Sequence, residues 1–269
     1  MMEPDGNGSS HFGQRRPVAY KNTAFLESPD GRGLRILSEY LHPLSHLRDE
    51  KVQDTVVFFG SARIQETGPL SRYYHEAREL ARIFTLWSDS LEHETRRFVI
   101  STGGGPGIME AANRGAADAG GKSIGLNIGL PFEQFPNPYI TPELSFEFHY
   151  FFMRKFWFAY PARALVVFPG GFGTMDEMFE MLTLMQTKKL ESKIVMVLYG
   201  SEYWNKVINF EALVEFGTIS AEDLQLFQSA DDPQTALRLL QEGLTELNLE
   251  VPPVAEDPEG HPSLNKSRV

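Results

Sequence analysis

The stretch Pro169-Gly170-Gly171-Phe172-Gly173-Thr174-Met175-Asp176-Glu177 combines residue types that suit opposite charges. Glycines let the backbone approach a ligand closely, and the start of a helix offers unpaired N–H groups to an anion such as phosphate. A carboxylate repels that anion, but Glu177 lies about one helical turn, or roughly 5 Å, further along. The spacing therefore predicts a phosphate at the turn and an acid that faces a neighbouring sugar.

Two structural alternatives stay open for this stretch. Thr174 and Glu177 have the spacing of a capping box, in which the glutamate returns to the backbone N–H of the threonine and only starts the helix. The glycines could equally form a tight strand-to-helix turn that binds nothing.

A second glycine turn, Thr102–Gly107, also follows an apolar segment and precedes a helical one, and Gly60-Ser61 follows a third. Neither full turn completes the dinucleotide fingerprint G-x-G-x-x-G, because its last glycine is replaced by Ile108 in one and by Asp176 in the other. We therefore expect bound phosphate but no nicotinamide or flavin cofactor.

Arg154 and Lys155 lie within the aromatic-rich stretch FEFHYFFMRKFWFAYPARALVVF. Charge in a buried segment is costly unless it meets a partner or a ligand, so these residues are candidates for the site. The alternative is that their stems pack while their charged ends reach water. Met178, Met181 and Met185 have helical spacing and predict helix packing, with a dimer contact as one option.

The elements that must position these residues alternate between strand and helix. We predict strands at 55–59, 98–101, 123–128, 164–168, 193–198 and 226–229, and helices at 34–47, 70–87, 107–119, 174–187, 202–216 and 233–247. The strands are apolar throughout, which is typical of a sheet covered on both faces. The pattern predicts one α/β domain, residues 31–250, with a doubly wound, mostly parallel, Rossmann-like sheet and helices on both faces. Residues 1–30 and 251–269 are predicted to be a flexible arm and tail.

Composition limits the classes of function. The 269 residues carry a formal charge of −11, which argues against nonspecific nucleic-acid binding. There are no cysteines, the seven histidines are scattered, and no apolar run is long enough to span a membrane. We expect a cytoplasmic enzyme without a metal, a membrane or a nucleic-acid partner.

The motifs together resemble those of the LOG family, the cytokinin riboside 5′-monophosphate phosphoribohydrolases, long mislabelled as lysine decarboxylases. The segment 169–177 matches PGGxGTxxE, Met153-Arg154-Lys155 precedes it, and Gly60–Arg63 (GSAR) and Ser101–Ala116 are similar to the larger bacterial members. The resemblance covers about residues 55–244. The arm, the first helix and the tail extend beyond the short plant-type members.

This resemblance implies roles for particular residues. Arg154 and Glu177 would be catalytic, and the phosphate and nucleotide would contact Gly170, Gly171, Gly173, Thr174, Ser61, Gly103, Gly104, Gly105, Lys155 and Met153. The implied reaction hydrolyses the N-glycosidic bond of AMP or an N6-modified AMP, without a cofactor, in a homodimer or an assembly of dimers.

Two rival functions remain at this stage. One is a non-catalytic module that binds or senses a nucleotide. The other is an amino-acid decarboxylase with pyridoxal phosphate, for which Lys155 and Lys188 are the available lysines.

Overall fold

Seven parallel strands form one sheet in the computed structural model, which describes residues 16–91, 94–129, 135–190 and 193–248. The strands are β1 (Thr55–Phe59), β2 (Val99–Thr102), β3 (Ser123–Ile128), β4 (Ser145–Phe148), β5 (Ala162–Val167), β6 (Val195–Tyr199) and β7 (Gln228–Ala230). Their spatial order is β4-β3-β2-β1-β5-β6-β7. Strands β2, β3 and β4 therefore follow one another on one side of β1, and β5, β6 and β7 follow one another on the other side. The predicted doubly wound sheet is confirmed.

Helices cover both faces of this sheet. They are α1 (Thr23–Glu27), α2 (Arg32–Asp49), α3 (Ser71–Asp89), α4 (Ile108–Asp118), α5 (Phe151–Ala159), α6 (Phe172–Gln186), α7 (Ser201–Val207), α8 (Phe210–Glu215) and α9 (Pro233–Asn248). Helices α3, α4 and α9 contribute to the core on one face, and α2, α5, α6 and α7 contribute to the core on the other. No helix among the described residues is long and apolar enough to cross a bilayer.

Strand β1 is covered on both faces of the sheet. All five of its residues are buried, and successive side chains point to opposite faces. Val56 and Phe58 join the core under α3 and α4, whereas Val57 and Phe59 join the core under α5 and α6. Because β1 lies between β2 and β5, its carboxyl end marks the point where the strand order reverses, which is where such sheets bind ligands.

The structure corrects the predicted elements in two places. Strand β4 and helix α5 were not predicted, although α5 carries Arg154 and Lys155. The predicted helix at 202–216 is two helices, because the chain breaks at Ile208 and the Asn209 side chain accepts from the Ala212 N–H to start α8.

The methionine stripe packs within the fold. Met178 and Met181 are buried against the sheet, and Met185 packs on the same core. At the N-terminus, the described part of the predicted arm forms two 3-10 turns, Ala19–Lys21 and Pro29–Gly31, on either side of α1. The rest of the arm, 1–15, and the predicted tail, 251–269, lie outside the described residues.

Candidate active site

The three glycine turns meet at the carboxyl edge of the sheet. The Ser61 N–H, after β1, donates to the Pro169 carbonyl, after β5, at 3.1 Å. The Ile108 N–H, which follows the second turn, donates to the Ser61 carbonyl at 3.2 Å. Gly107 adopts a φ of 71° against Ser61, and a Cβ there would meet the Ser61 carbonyl oxygen at 2.4 Å. The turns after β1, β2 and β5 therefore lie together at one edge of the sheet.

The turn after β5 leads directly into helix α6. Gly171 is the N-cap of α6 and supplies no side-chain cap, so the first amides of this helix are available to a ligand. A Cβ built on Gly171 or on Gly173 would meet no protein atom within 4 Å, which leaves open space beside both residues. In contrast, Gly170 is packed against Thr174, and its carbonyl accepts from the Tyr203 hydroxyl at 2.7 Å.

A cavity of about 390 Å³ opens between the turn after β1, at Ser61, and the turn after β5, at Pro169–Gly171. Its lining includes Ser61, Arg63, Gly170, Gly171 and Tyr203. The helix start and the Arg63 guanidinium both favour an anionic group at this position.

Glu177 does not form the capping box that its spacing allows. Thr174 is the third residue of α6 rather than its N-cap, and the Glu177 carboxylate instead accepts from Arg154 Nη1 at 3.0 Å. Arg154 reaches it from α5, while its Nε donates to the Leu126 carbonyl at 2.7 Å. The two side chains are only 11% and 14% exposed, so Arg154 does not extend to water.

Burial changes the protonation of Glu177. Desolvation raises its pKa to about 7, although the positive charge of Arg154 opposes this, and the nearby Asp176 carboxylate adds to the rise. A carboxyl group with a pKa near neutrality exchanges protons readily at physiological pH. This is the property that general acid–base catalysis requires.

Lys155 and Met153 lie beside Arg154 in sequence but have different surroundings. Lys155 Nζ forms ion pairs with Asp176 at 2.7 Å and Glu180 at 3.0 Å. Burial lowers the pKa of Lys155, but hydrogen bonds to these two carboxylates outweigh it and raise the pKa above its ordinary value. Met153 is buried in the core. The nucleotide contacts implied for these two residues stay predictions.

The second turn is held by polar residues that the sequence did not single out. Gly104 adopts a φ of 73° and lies against the Asn127 side chain. Thr102, Asn113 and Asn137 form a buried hydrogen-bonded network around the same turn. Asn113 could have been found as a polar residue on the apolar face of a predicted helix, whereas Asn137 has no such local signal.

Groups that could hold a metal are absent from the part of the chain that the structure describes: no three acidic or histidine side chains come close enough together.

Comparison with known proteins points to one family. A family model described as "Possible lysine decarboxylase" matches residues 109–240. The probable cytokinin riboside 5′-monophosphate phosphoribohydrolase LOGL3 of Oryza sativa subsp. japonica is 27% identical over 207 residues, which cover 72% of this chain and 86% of the relative. The cytokinin riboside 5′-monophosphate phosphoribohydrolase LOG4 of Arabidopsis thaliana is 28% identical over 190 residues, 69% of this chain and 80% of the relative.

Among solved structures, the X-ray structure of TM1055, a structural genomics target, has a TM-score of 0.50 at 20% identity and covers 70% of this chain and 99% of that chain. This likeness supports the Rossmann-like α/β fold. The sequence matches confirm the resemblance to the LOG family that the motifs indicated.

Proposed function

We propose that the protein hydrolyses the N-glycosidic bond of a nucleoside 5′-monophosphate, AMP or an N6-modified AMP, to the free base and ribose 5-phosphate. The observation that carries this proposal is the position of Glu177, paired with Arg154 and one turn beyond the glycine-lined start of α6. The names of the relatives supply the reaction class, since they are phosphoribohydrolases of cytokinin riboside 5′-monophosphates.

The 5′-phosphate binds at the start of α6 in this proposal. The open space beside Gly171 and Gly173 lets phosphate oxygens approach the backbone amides, and Ser61 and Arg63 line the adjoining cavity. Binding energy from the phosphate is remote from the bond that breaks, so it can hold the sugar against Glu177.

Glu177 then acts on the ribose. Cleavage of an N-glycosidic bond passes through a sugar with oxocarbenium character, which a carboxylate stabilises. The same carboxylate accepts a proton from the attacking water, while the departing base gains electron density and takes up a proton. A pKa of about 7 lets Glu177 hold and release that proton near neutral pH.

Arg154 has two tasks in this scheme. Its bonds to the Leu126 carbonyl and to Glu177 fix the carboxylate, and its positive charge offsets charge that develops on the base. Because the pair is largely buried, its interaction is screened less than that of a surface ion pair.

The rival decarboxylase role has little support from the lysines. A Schiff-base lysine reacts as a neutral amine. The carboxylates around Lys155 favour its protonated form instead, and Lys188 is exposed just after α6.

We also propose that the active form is a homodimer. Helices α5 and α6 expose large apolar side chains beside the site, with Phe172, which directly follows Gly171, 94% exposed. Phe151, Phe152 and Phe179 are exposed on the same two helices. A second copy of the chain would bury such a patch. Light scattering should give twice the chain mass, and Phe172→Ser should shift the equilibrium toward monomer. A wild-type monomer that is fully active would contradict this proposal.

The cytoplasmic location stays a prediction.

Incubation of the purified protein with AMP and with N6-isopentenyl-AMP tests the proposed reaction. Chromatography should show free base and ribose 5-phosphate in equal amounts from at least one substrate. Tight nucleotide binding without base release would instead favour the non-catalytic alternative.

A further inference from the structure

A buried polar network holds the second glycine turn, Thr102–Gly107, in place. Asn137 is 7% exposed and lies in the loop before β4. Its backbone N–H donates to the Gly104 carbonyl at 2.8 Å. Its side-chain amide donates to the carbonyls of Gly104 and Gly105, both at 3.1 Å, and to Asn113 Oδ1 at 2.9 Å.

The network closes back on the same turn through Thr102. The Thr102 hydroxyl donates to Asn113 Oδ1 at 2.7 Å and accepts from the Gly104 N–H at 2.9 Å. Thr102 and Asn113 are fully buried. Hydrogen bonds in such an environment are strong and directional, and together they fix one conformation of the turn.

The Gly103–Gly105 segment of this turn also contacts Arg154, the proposed catalytic arginine. A Cβ on Gly103 would lie 2.5 Å from Arg154 Nη2, so the backbone of this turn packs directly against the guanidinium group. On its other sides, Arg154 meets the Leu126 carbonyl, Glu177 and the Phe158 ring. A shift of the Gly103 backbone would therefore change the space available to Arg154.

We propose that Asn137 is a positioning residue: its side chain fixes the Gly103–Gly105 turn against Arg154 and thereby sets the geometry of the Arg154–Glu177 pair. The inference rests on the proposed hydrolysis for its kinetic consequence. Asn137 contacts neither Arg154 nor Glu177 through any hydrogen bond found among the described residues, and it acts through the turn.

Kinetics of Asn137→Ala test this inference. We expect kcat for base release to fall about 10- to 100-fold, because small displacements of catalytic groups have effects of this size. KM should stay within about threefold, since the phosphate turn at α6 is untouched. The pH at which Glu177 titrates should rise as Arg154 moves away, with Lys155 and Asp176 as the other charges near this carboxyl group.

Thr141→Val is the matched control. Thr141 lies in the same loop, and its hydroxyl accepts from the Ser123 N–H at 3.0 Å, away from the glycine turn. This variant should lose stability but keep the wild-type kcat and pH profile. If Asn137→Ala does not fold, Thr102→Val removes another bond of the same network and is judged by the same criteria.

Unchanged kcat and pH profile in a folded Asn137→Ala or Thr102→Val variant would overturn the inference, as would losses no greater than those of Thr141→Val. Crystal structures provide a readout that does not depend on activity. The 3.0 Å distance between Arg154 Nη1 and Glu177 Oε1 should lengthen in Asn137→Ala, together with a shift of Gly103. If the wild type releases no base, the proposed function fails, and an unmoved turn and ion pair in the variant would separately refute the positioning role.

Discussion

Arg154 and Glu177 are 23 residues apart in sequence and lie on separate helices, yet Arg154 Nη1 and Glu177 Oε1 are 3.0 Å apart beside the glycine turns. Helix α5 brings the arginine to the Leu126 carbonyl of β3, and α6 brings the glutamate one turn beyond Gly173. The pair combines a buried acid with a fixed cation at the edge of the sheet where three turns converge.

Replacing the arginine by a shorter cation tests the role of this geometry. Arg154→Lys keeps the charge but cannot bond to both the Leu126 carbonyl and Glu177 from one planar group. We expect kcat for base release to fall about 10²- to 10³-fold, a typical effect of losing a fixed electrostatic group. Arg238→Lys, in an exposed pair on α9, is the control and should keep the wild-type rate. Equal rates for the two variants would remove Arg154 from the mechanism.

The pH dependence of kcat/KM should report Glu177. Its pKa is raised to about 7, so the group is mostly protonated below that pH and mostly ionised above it. If the carboxylate is the active form, kcat/KM should decrease about tenfold for each pH unit below about 7 and level off above it.

Asp176→Asn should move this midpoint downward. The Asp176 carboxylate raises the pKa of Glu177, whereas the positive charge of Lys155 lowers it. The substitution removes the first effect and also removes the ion pair between Asp176 and Lys155. Asp223→Asn, an exposed residue that pairs with Gln186, should leave the midpoint in place. An upward shift in Asp176→Asn would mean that another group controls the profile.

Two glycines of the phosphate turn should respond differently to alanine. A Cβ on Gly170 would come within 2.2 Å of the Thr174 hydroxyl oxygen, so Gly170→Ala should lower the melting temperature. A Cβ on Gly173 meets no protein atom, so Gly173→Ala should fold normally and raise KM, because the added methyl group occupies space meant for the phosphate. Wild-type KM in Gly173→Ala would show that the phosphate binds elsewhere.

Asp54 directly precedes β1, at the amino ends of the strands and opposite the glycine turns, and we expect it to contribute to the stability of the fold. This fully buried carboxylate accepts from Arg97 Nε at 2.8 Å and from the Phe98 N–H at 2.6 Å, and Arg163 lies 3.8 Å away. Asp54→Ala removes the buried carboxylate that accepts both hydrogen bonds and should lower the free energy of unfolding by about 3–5 kcal/mol. Asp118→Ala, which breaks a half-buried pair with Arg78, should cost at most about 1 kcal/mol. Urea denaturation compares the two.

Sequence patterns predicted the strands and helices whose local composition and end residues distinguish them from their neighbours. Strands β1 and β3 have the predicted bounds, because each is a short, largely buried segment with a charged residue before it and a glycine after it. Strand β4 and helix α5 were missed because they lie in an aromatic-rich stretch where neither alternation nor helical periodicity stands out. The break between α7 and α8 depends on a local cap by Asn209, which the apolar pattern does not reveal.

In the site, too, features formed by residues adjacent in sequence were predicted, and features that depend on the packing of distant segments were not. The turn and the acid of α6 are adjacent in sequence, so their combination predicted a phosphate and a sugar. The pairing of Glu177 with Arg154, and the exclusion of the capping box, depend on how α5 packs beside α6. Asn137 was invisible for a related reason, since its side-chain partners are 24 to 33 residues away in the chain.

Turnover by Glu177→Gln tests the central claim most directly. The amide keeps the shape of the side chain but can neither carry the negative charge nor accept a proton from water. With AMP or N6-isopentenyl-AMP, whichever the wild type hydrolyses, we predict nucleotide binding close to wild type by calorimetry and base release slower by about 10²- to 10⁴-fold. Base release at the wild-type rate would show that the acid beside the phosphate turn is not the group that acts on the sugar.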